Sequence, residues 1–95
     1  MAITLIYYGH GTFGIDADGA KIVLDPFFAP NNPAATVTAD DVEADYILIT
    51  HGHGDHIADA VPLAKRTGAT CICNAEIAGW LGNQGIEKVH PLHIG

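Results

Sequence analysis

The chain is poor in basic residues, and this shortage excludes one class of partner. Of its 95 residues only 4 are Lys or Arg, against 11 Asp or Glu, so the formal net charge at pH 7 is −7. All the aspartates lie between Asp16 and Asp59, where Lys21 is the only basic residue. A surface of this charge repels phosphate backbones. We therefore expect no nucleic-acid partner.

Long apolar runs and a signal peptide are also missing. No stretch approaches the roughly 20 apolar residues of a membrane span, and the start at Met1 has no basic flank. We expect no membrane partner and a cytoplasmic protein. The only two cysteines, Cys71 and Cys73, alternate along an apolar run, so on a strand both side chains face one way. We interpret them as buried small apolar residues rather than a redox or metal pair.

The residues that are present predict an α/β domain. Hydrophobic residues make up 48% of the chain, which is too many for a disordered one. Apolar and β-branched runs predict strands over Ile3–Tyr8, Thr12–Ile15 and Lys21–Leu24. The turn Asp16–Gly19, with its Asp-Gly pair, joins the second and third of these strands as a hairpin. The first part of the chain is therefore predicted to be a β-meander.

The middle of the chain predicts a short helical turn and then a buried strand. Thr38 caps that turn, with Asp41 three residues on, and the turn is one turn long at most. The run Tyr46–Thr50 is apolar almost throughout, which is typical of a strand covered on both faces.

Two βα units complete the predicted order. Asp59 is expected to cap a helix that Gly68 closes, and Ala69–Cys73 is the next strand. Asn74 is then expected to cap a second helix that ends at Gly85. One face of that helix is apolar, and we assign it to the core; it consists of Ile77, Trp80 and Leu81. A last strand is predicted over Glu87–His90.

A cluster of metal-ligand side chains follows the buried strand Tyr46–Thr50. Within six residues come His51, His53, Asp55 and His56, separated by two glycines. Neutral imidazole and carboxylate are the groups that zinc prefers, and glycine lets the backbone approach an ion closely. In a loop leaving a strand end, His51 and His53 can turn to one point, and Asp55 and His56 to a second point close by. We therefore predict a metal site, with a closed structural metal and a merely polar loop as the alternatives.

At these residues the chain resembles the metallo-β-lactamase superfamily. The segment Thr50–His56 resembles the His-x-His-x-Asp-His signature of that family. The order of the whole chain is similar to a branch of metal-dependent hydrolases that includes ascorbate-6-phosphate lactonase-like proteins. The flanking pieces that support this branch are Tyr8–Gly11, Leu24–Phe27 and His93–Gly95.

The resemblance implies that residues 1–95 are the N-terminal half of a four-layer αβ/βα sandwich, with a mixed sheet and helices on one face. By this analogy His51 and His53 bind one metal, and Asp55 and His56 bind a second. The further ligands of the family, two histidines and a bridging aspartate, have no matching positions here. We interpret His90 and His93 as loop or strand-end residues, with metal contact as the alternative.

The resemblance also implies a hydrolase. Two divalent metals, zinc by preference or else manganese or iron, would activate a water that attacks an ester, lactone or phosphoester. Asp55 is our candidate for orienting that water. Asp25 is a candidate for orienting a ligand histidine from behind, or else a turn residue before a proline. His10 either lines the pocket or is a turn histidine.

Three functions remain open from the sequence. The first is a hydrolase with a small-molecule substrate. The second is a half-domain that folds or binds metal only with a partner, either the C-terminal half or a complementing chain. The third is a metal-binding module without catalysis. A homo-oligomer is a further expectation, and the chain by itself is expected to be inactive.

Overall fold

The computed structural model describes residues 2–29 and 32–92, without the side chains of Asp55 and His56. These residues form one six-stranded sheet, three α-helices and a 3₁₀ turn. The elements are β1 Ile3–Gly9, β2 Thr12–Ala17, β3 Ala20–Leu24, the 3₁₀ turn Ala39–Asp41, β4 Tyr46–Leu48, α1 Gly54–Ile57, α2 Ala60–Thr67, β5 Thr70–Cys73, α3 Ala75–Asn83 and β6 Val89–Pro91.

The first three strands form the predicted meander. They pair antiparallel, and a two-residue loop, Asp18-Gly19, joins β2 to β3. Asp18 and Gly19 have φ values of +52° and +93°, the left-handed pair that a type I′ hairpin turn requires. The Asp-Gly signal therefore predicted the turn correctly, although β2 runs two residues further than expected.

The remaining strands are parallel and follow the chain order. β4 lies against β3, β5 against β4 and β6 against β5, so the sheet order is β1-β2-β3-β4-β5-β6. This confirms the predicted meander followed by two βα units in a mixed sheet. β6 is displaced from its predicted bounds of Glu87–His90 to Val89–Pro91.

The helices cover one face of the sheet, which we call the covered face. Its central row across β3, β4 and β5 is Val23, Ile47 and Cys71, each at most 1% exposed. Leu63 of α2 and Leu81 of α3 are fully buried in the same cluster. The predicted burial of the cysteines is confirmed here, since Cys73 belongs to this cluster as well.

The opposite face is apolar and carries none of the described helices; we call it the open face. Side chains in cross-strand register share a face, and this face holds Leu5, Ile15, Ile22 and Tyr46 in one row and Tyr7, Phe13, Leu24, Leu48 and Ile72 in the next. Leu5 and Tyr7 are 64% and 61% exposed. The prediction that the strand after Asp45 is covered on both faces is wrong for the described residues, because Tyr46 lies on the open face and is exposed.

The helix ends follow local sequence signals except at one point. The Asn74 side chain accepts a hydrogen bond from Ile77 N at 2.8 Å, and Gly68 closes α2 at φ +72°. Both predictions are confirmed. Asp59 precedes α2 as predicted, but its side chain does not cap that helix. Its carboxylate instead accepts a hydrogen bond from Phe28 N at 2.5 Å, so Asp59 joins α2 to the loop after β3.

The apolar face of α3 is narrower than the sequence predicts. Ile77 and Leu81 are buried, but Trp80 is 43% exposed, so its assignment to the core is wrong. Ile77 and Leu81, four residues apart, lie one helical turn from each other and both face the sheet, whereas Trp80 lies at the border of that stripe. None of the helices that the structure describes has the length and apolar character needed to cross a membrane.

Candidate metal centre

The histidine cluster lies where β4 leaves the sheet. β4 ends at Leu48, two residues earlier than predicted, and the Thr50 backbone amide no longer bonds to a neighbouring strand. Ile49 N donates to Ile72 O at 3.0 Å, but Thr50 N donates to the carboxylate of Asp25 at 2.7 Å. The segment after Thr50 is therefore set at the carboxyl end of parallel strands, where ligand sites of α/β folds tend to form.

The predicted loop contains one helical turn. The structure places Gly54–Ile57 in α1, and His53 is the residue before it. Asp55 and His56 therefore lie on this turn and not in an open loop. Asp59 N donates to Pro26 O at 3.1 Å just after the turn, so the end of the segment is tied to the chain that follows β3.

His51 and His53 come together. Their ring centroids are 4.7 Å apart, with the rings edge to face at 87°. His51 is half-buried and His53 is exposed. The two imidazoles of the first histidine pair are therefore in contact with each other, edge to face.

A buried carboxylate lies behind His51. Asp25 is 3% exposed and follows β3 at φ +49°. Its carboxylate accepts the Thr50 N–H at 2.7 Å through one oxygen and the Thr50 hydroxyl at 2.7 Å through the other. The Thr50 oxygen also lies 2.9 Å from His51 Nδ1. Asp25 is thus connected to the first histidine through a threonine.

This chain of hydrogen bonds selects a tautomer of His51. The Thr50 hydroxyl donates its single proton to the Asp25 carboxylate, so towards His51 its oxygen can only accept. A neutral His51 ring that donates its Nδ1–H to the Thr50 oxygen carries its lone pair on Nε2. A histidine held in this way presents Nε2 as the ligand atom.

Two buried polar side chains fix the loop that carries Asp25. The Thr12 hydroxyl is fully buried and donates to Asp25 O at 2.7 Å. Asn32 is 1% exposed; its amide donates to Phe27 O at 2.7 Å and to Gly9 O at 3.2 Å. Since burial makes an unsatisfied polar group unfavourable, these bonds hold the loop in one conformation.

His10 lies on the same loop cluster. It has φ +56°, its carbonyl accepts the Tyr7 hydroxyl at 2.8 Å, and its ring contacts Phe27 edge to face with centroids 5.8 Å apart. His10 lies in a turn, which is one of the two roles predicted for it, and its ring is exposed. His90 is an exposed residue of β6, as predicted for a strand-end histidine. His93 lies outside the described residues.

The cysteines take no part in this centre. Burial raises the pKa of Cys71 to about 11, with the neighbouring Cys73 as a second cause, and burial also raises the pKa of Cys73. A metal-binding cysteine is a thiolate, so these shifts work against metal binding. The interpretation of the pair as buried apolar residues agrees with this.

Among the side chains that the structure describes, no three metal-binding groups lie together. The side chains of Asp55 and His56, half of the predicted ligand set, are outside that description. The metal roles of His51, His53, Asp55 and His56, and the catalytic role of Asp55, therefore stay predictions.

Sequence reasoning missed the residues that support the centre. Thr50, Thr12 and Asn32 are polar residues without a motif of their own, and Asp59 was assigned to a helix cap. The one available signal was Thr50, which directly precedes the histidine cluster at the end of a buried run. Its link to Asp25, 25 residues away, depends on the parallel pairing of β3 with β4.

Comparison with known proteins gives one family match over nearly the whole chain. The model of a beta-lactamase superfamily domain matches residues 4–90. A UPF0173 metal-dependent hydrolase of Shouchella clausii is 49% identical over 89 residues, which cover 94% of this chain and 39% of that protein. A second one, of Methanopyrus kandleri, is 45% identical over 95 residues and is covered to 40%. The chain thus spans about two fifths of the length of these curated relatives.

One solved structure is similar in both fold and sequence. It is Igni18, described as a metallo hydrolase from the hyperthermophilic archaeon Ignicoccus hospitalis, with a TM-score of 0.87 and 35% identity. The match covers 98% of this chain and 40% of Igni18. The α/β fold predicted from the sequence, a mixed sheet with helices on one face, is confirmed by this likeness.

Proposed function

Since the chain belongs to the beta-lactamase superfamily, we propose that it supplies the metal-binding segment of a metal-dependent hydrolase. The observation that carries this proposal is the meeting of His51 and His53 at the carboxyl end of β4, with the Thr50 hydroxyl oxygen 2.9 Å from His51 Nδ1. Metal-dependent hydrolase is also what the curated relatives are named.

The described donors fit a divalent metal in their chemistry. Neutral imidazole is a ligand of intermediate hardness, so two of them side by side suit zinc, with manganese or iron as alternatives. In our proposal His51 and His53 hold the first metal. Asp55 and His56, on the adjoining turn α1, hold the second.

Asp25 and Thr50 act as positioning residues in this proposal. The buried carboxylate holds the Thr50 hydroxyl, and the hydroxyl holds Nδ1 of His51. Such support behind a metal ligand fixes ring orientation and tautomer. His10 is proposed to line the pocket, since Phe27 against its ring connects it to the loop that also carries Asp25.

The chemistry of the proposed reaction is hydrolysis of an ester, lactone or phosphoester. When bound, a divalent metal acidifies water and polarises a carbonyl or phosphoryl oxygen. Asp55 is proposed to orient the attacking water by accepting its proton in a hydrogen bond. The substrate is proposed to be a small molecule.

We further propose that the active unit includes more than these residues. The open face presents an apolar surface that, in a folded domain, is normally covered. The relatives are more than twice as long as this chain. A C-terminal half, a complementing chain or a second copy would each cover the open face and could supply further ligands; we favour the first because of the length of the relatives.

The test is a hydrolysis screen with matched variants. The complete domain, with these residues as its N-terminal half, is loaded with zinc, manganese or iron in turn and assayed on model carboxylic esters, lactones and phosphodiesters. His53→Ala and Asp55→Asn are expected to reduce kcat/KM by at least about 100-fold, as is typical when a metal ligand or water-orienting group is lost.

His90→Ala is the control, because His90 is an exposed histidine on β6 away from the cluster. It should keep full activity, and circular dichroism should show that all variants are folded. Hydrolysis that persists in both His53→Ala and Asp55→Asn would remove the mechanism. Zinc bound by the complete domain without hydrolysis of any substrate would instead favour the non-catalytic metal-binding module.

A further inference from the structure

An apolar pocket lies directly beside the proposed metal segment. It has a volume of about 290 Å³ and is lined by Gly52, Ile57, Ile77 and Trp80. Gly52 is the residue between His51 and His53, so the pocket begins at the backbone that separates the two proposed ligands. Its other walls come from α1 and α3.

We infer that this pocket is a substrate subsite that receives a phenyl-sized apolar group next to the reacting ester. The inference rests on the proposed function. Among the described side chains that line it none is charged, so these walls favour the apolar part of a substrate over its charged part. An apolar cavity of roughly 150 Å³ is enough to hold benzene, and the present volume exceeds that.

The exposure of Trp80 supports this assignment. Trp80 is 43% exposed, while Ile77 and Leu81 on the same helix are buried. Trp residues with one face open to solvent beside a site are common contact residues, because the ring buries much area with little loss of rotamer freedom. The pocket is bounded by helices of the covered side, so covering the open face of the sheet does not by itself fill it.

Gly52 gives the pocket a wall without a side chain, formed by the segment that carries the proposed ligands. A Cβ at this position would lie 3.9 Å from Ile77 Cγ1 and 4.0 Å from Ile77 Cδ1, in ordinary contact across the pocket. The absence of a side chain at Gly52 therefore leaves the space between this segment and Ile77 open.

Binding is directly observable because Trp80 is the only tryptophan of the chain. The probes are phenylacetate and acetate, which share a carboxylate and differ by the phenyl ring. In the zinc-loaded protein, phenylacetate should change Trp80 fluorescence to saturation, while acetate at the same concentrations should not. A phenylacetate titration without a saturable change in Trp80 fluorescence overturns the inference. The same result is expected if another part of the protein fills the pocket, and it overturns the inference in that case too.

The variant Trp80→Ala tests the wall of the pocket by calorimetry. We expect the affinity for phenylacetate to fall about tenfold, the effect of losing one aromatic contact. Tyr46→Ala is the matched control, because Tyr46 is also 43% exposed but lies at the far end of β4. It should bind phenylacetate as the unaltered protein does. An equal loss in both variants, with both folded by circular dichroism, counts against the subsite.

Kinetics separate this inference from the proposed function. Within the ester class that the protein hydrolyses, Trp80→Ala should lower the ratio of kcat/KM for the phenyl member to that for the methyl member about tenfold. Hydrolysis with an unchanged ratio refutes the subsite and leaves the proposed function standing. If the complete domain hydrolyses no ester, lactone or phosphoester, the proposed function fails, and the substrate role of the pocket falls with it even if phenylacetate binds.

Discussion

The two faces of the six-stranded sheet have similar residues and opposite surroundings. On the covered face, Val23, Ile47 and Cys71 are almost wholly buried under α2 and α3. On the open face, the equally apolar Leu5 and Tyr7 are more than half exposed. The strands are apolar on both faces, which is typical of a sheet that is covered on both sides. The described helices cover only one of these faces.

The candidate metal centre lies at the edge where the two faces meet. Its support comes from the chain that follows β3, through Asp25 and the buried Thr12. These hydrogen bonds tie the start of the metal segment to the loop after β3. The open side is where we propose that the rest of the domain packs, with further ligands.

The largest expected effect comes from a pair of identical substitutions on the two faces. Leu63→Ala removes a fully buried side chain and should lower the free energy of unfolding by about 2–5 kcal/mol. Leu5→Ala, at a side chain 64% exposed, should lower it by about 0.5 kcal/mol or less in the 95-residue chain. Urea unfolding measures both. Equal losses would show that the open face is already covered.

The next effect is a loss of stability at alkaline pH through the covered face. Burial raises the pKa of Cys71 from 9.0 to about 11 in the folded chain. The unfolded chain therefore releases this proton first, and stability that is complete below pH 9 falls as the pH rises through 11. Two pKa units correspond to about 2–3 kcal/mol. Cys71→Ala should remove this part of the pH dependence in urea unfolding; an unchanged slope would contradict the assignment.

A smaller effect is expected from the support of His51. Thr50→Val removes the hydroxyl between Asp25 and His51 and leaves the Thr50 backbone bond to Asp25 in place. Loss of such support should weaken zinc affinity about 10- to 100-fold, as measured by competition with a zinc chelator. Thr70→Val is the matched control, because Thr70 begins β5 and lies at the end of the sheet opposite to the histidine cluster. This variant should bind zinc normally. Equal affinities in both variants would contradict the positioning role.

The smallest effect on stability belongs to the open face. Leu5→Lys should change the free energy of unfolding of the 95-residue chain by about 0.5 kcal/mol or less. It should also lower the binding of a dye that reports exposed apolar surface, because it breaks up the patch. If Leu5 were buried instead, Leu5→Lys would leave dye binding unaltered and would destabilise the fold. That pair of results would show that the face is not open.

Local signals in the sequence predicted local structure well. The Asp18-Gly19 turn, the Asn74 cap and the closure of α2 at Gly68 each depend on neighbouring residues, and each is confirmed. The order of strands followed from the same signals. Of the site, the pairing of His51 with His53 was predictable, because two residues separated by one glycine cannot lie far apart.

Long-range contacts decided what the sequence could not predict. Asp59 resembles a cap, but the nearby loop offers it Phe28 N, and this partner is set by tertiary packing. Trp80 fits a helical apolar pattern, yet the buried stripe of α3 is too narrow to include it. Thr50 and Asp25 meet only because β3 and β4 are neighbours, a pairing that a single sequence does not reveal.

The central claim is that the segment from His51 to His56 binds divalent metal. Its most direct test is the zinc content of the protein after equilibration and dialysis, measured by elemental mass spectrometry for the unaltered protein and for His53→Ala and His90→Ala. Our account predicts at least one zinc per chain in the unaltered protein and in His90→Ala, and a clear loss in His53→Ala. Two results would contradict it: a folded His53→Ala that retains its zinc in full, or a failure of all three proteins to retain zinc.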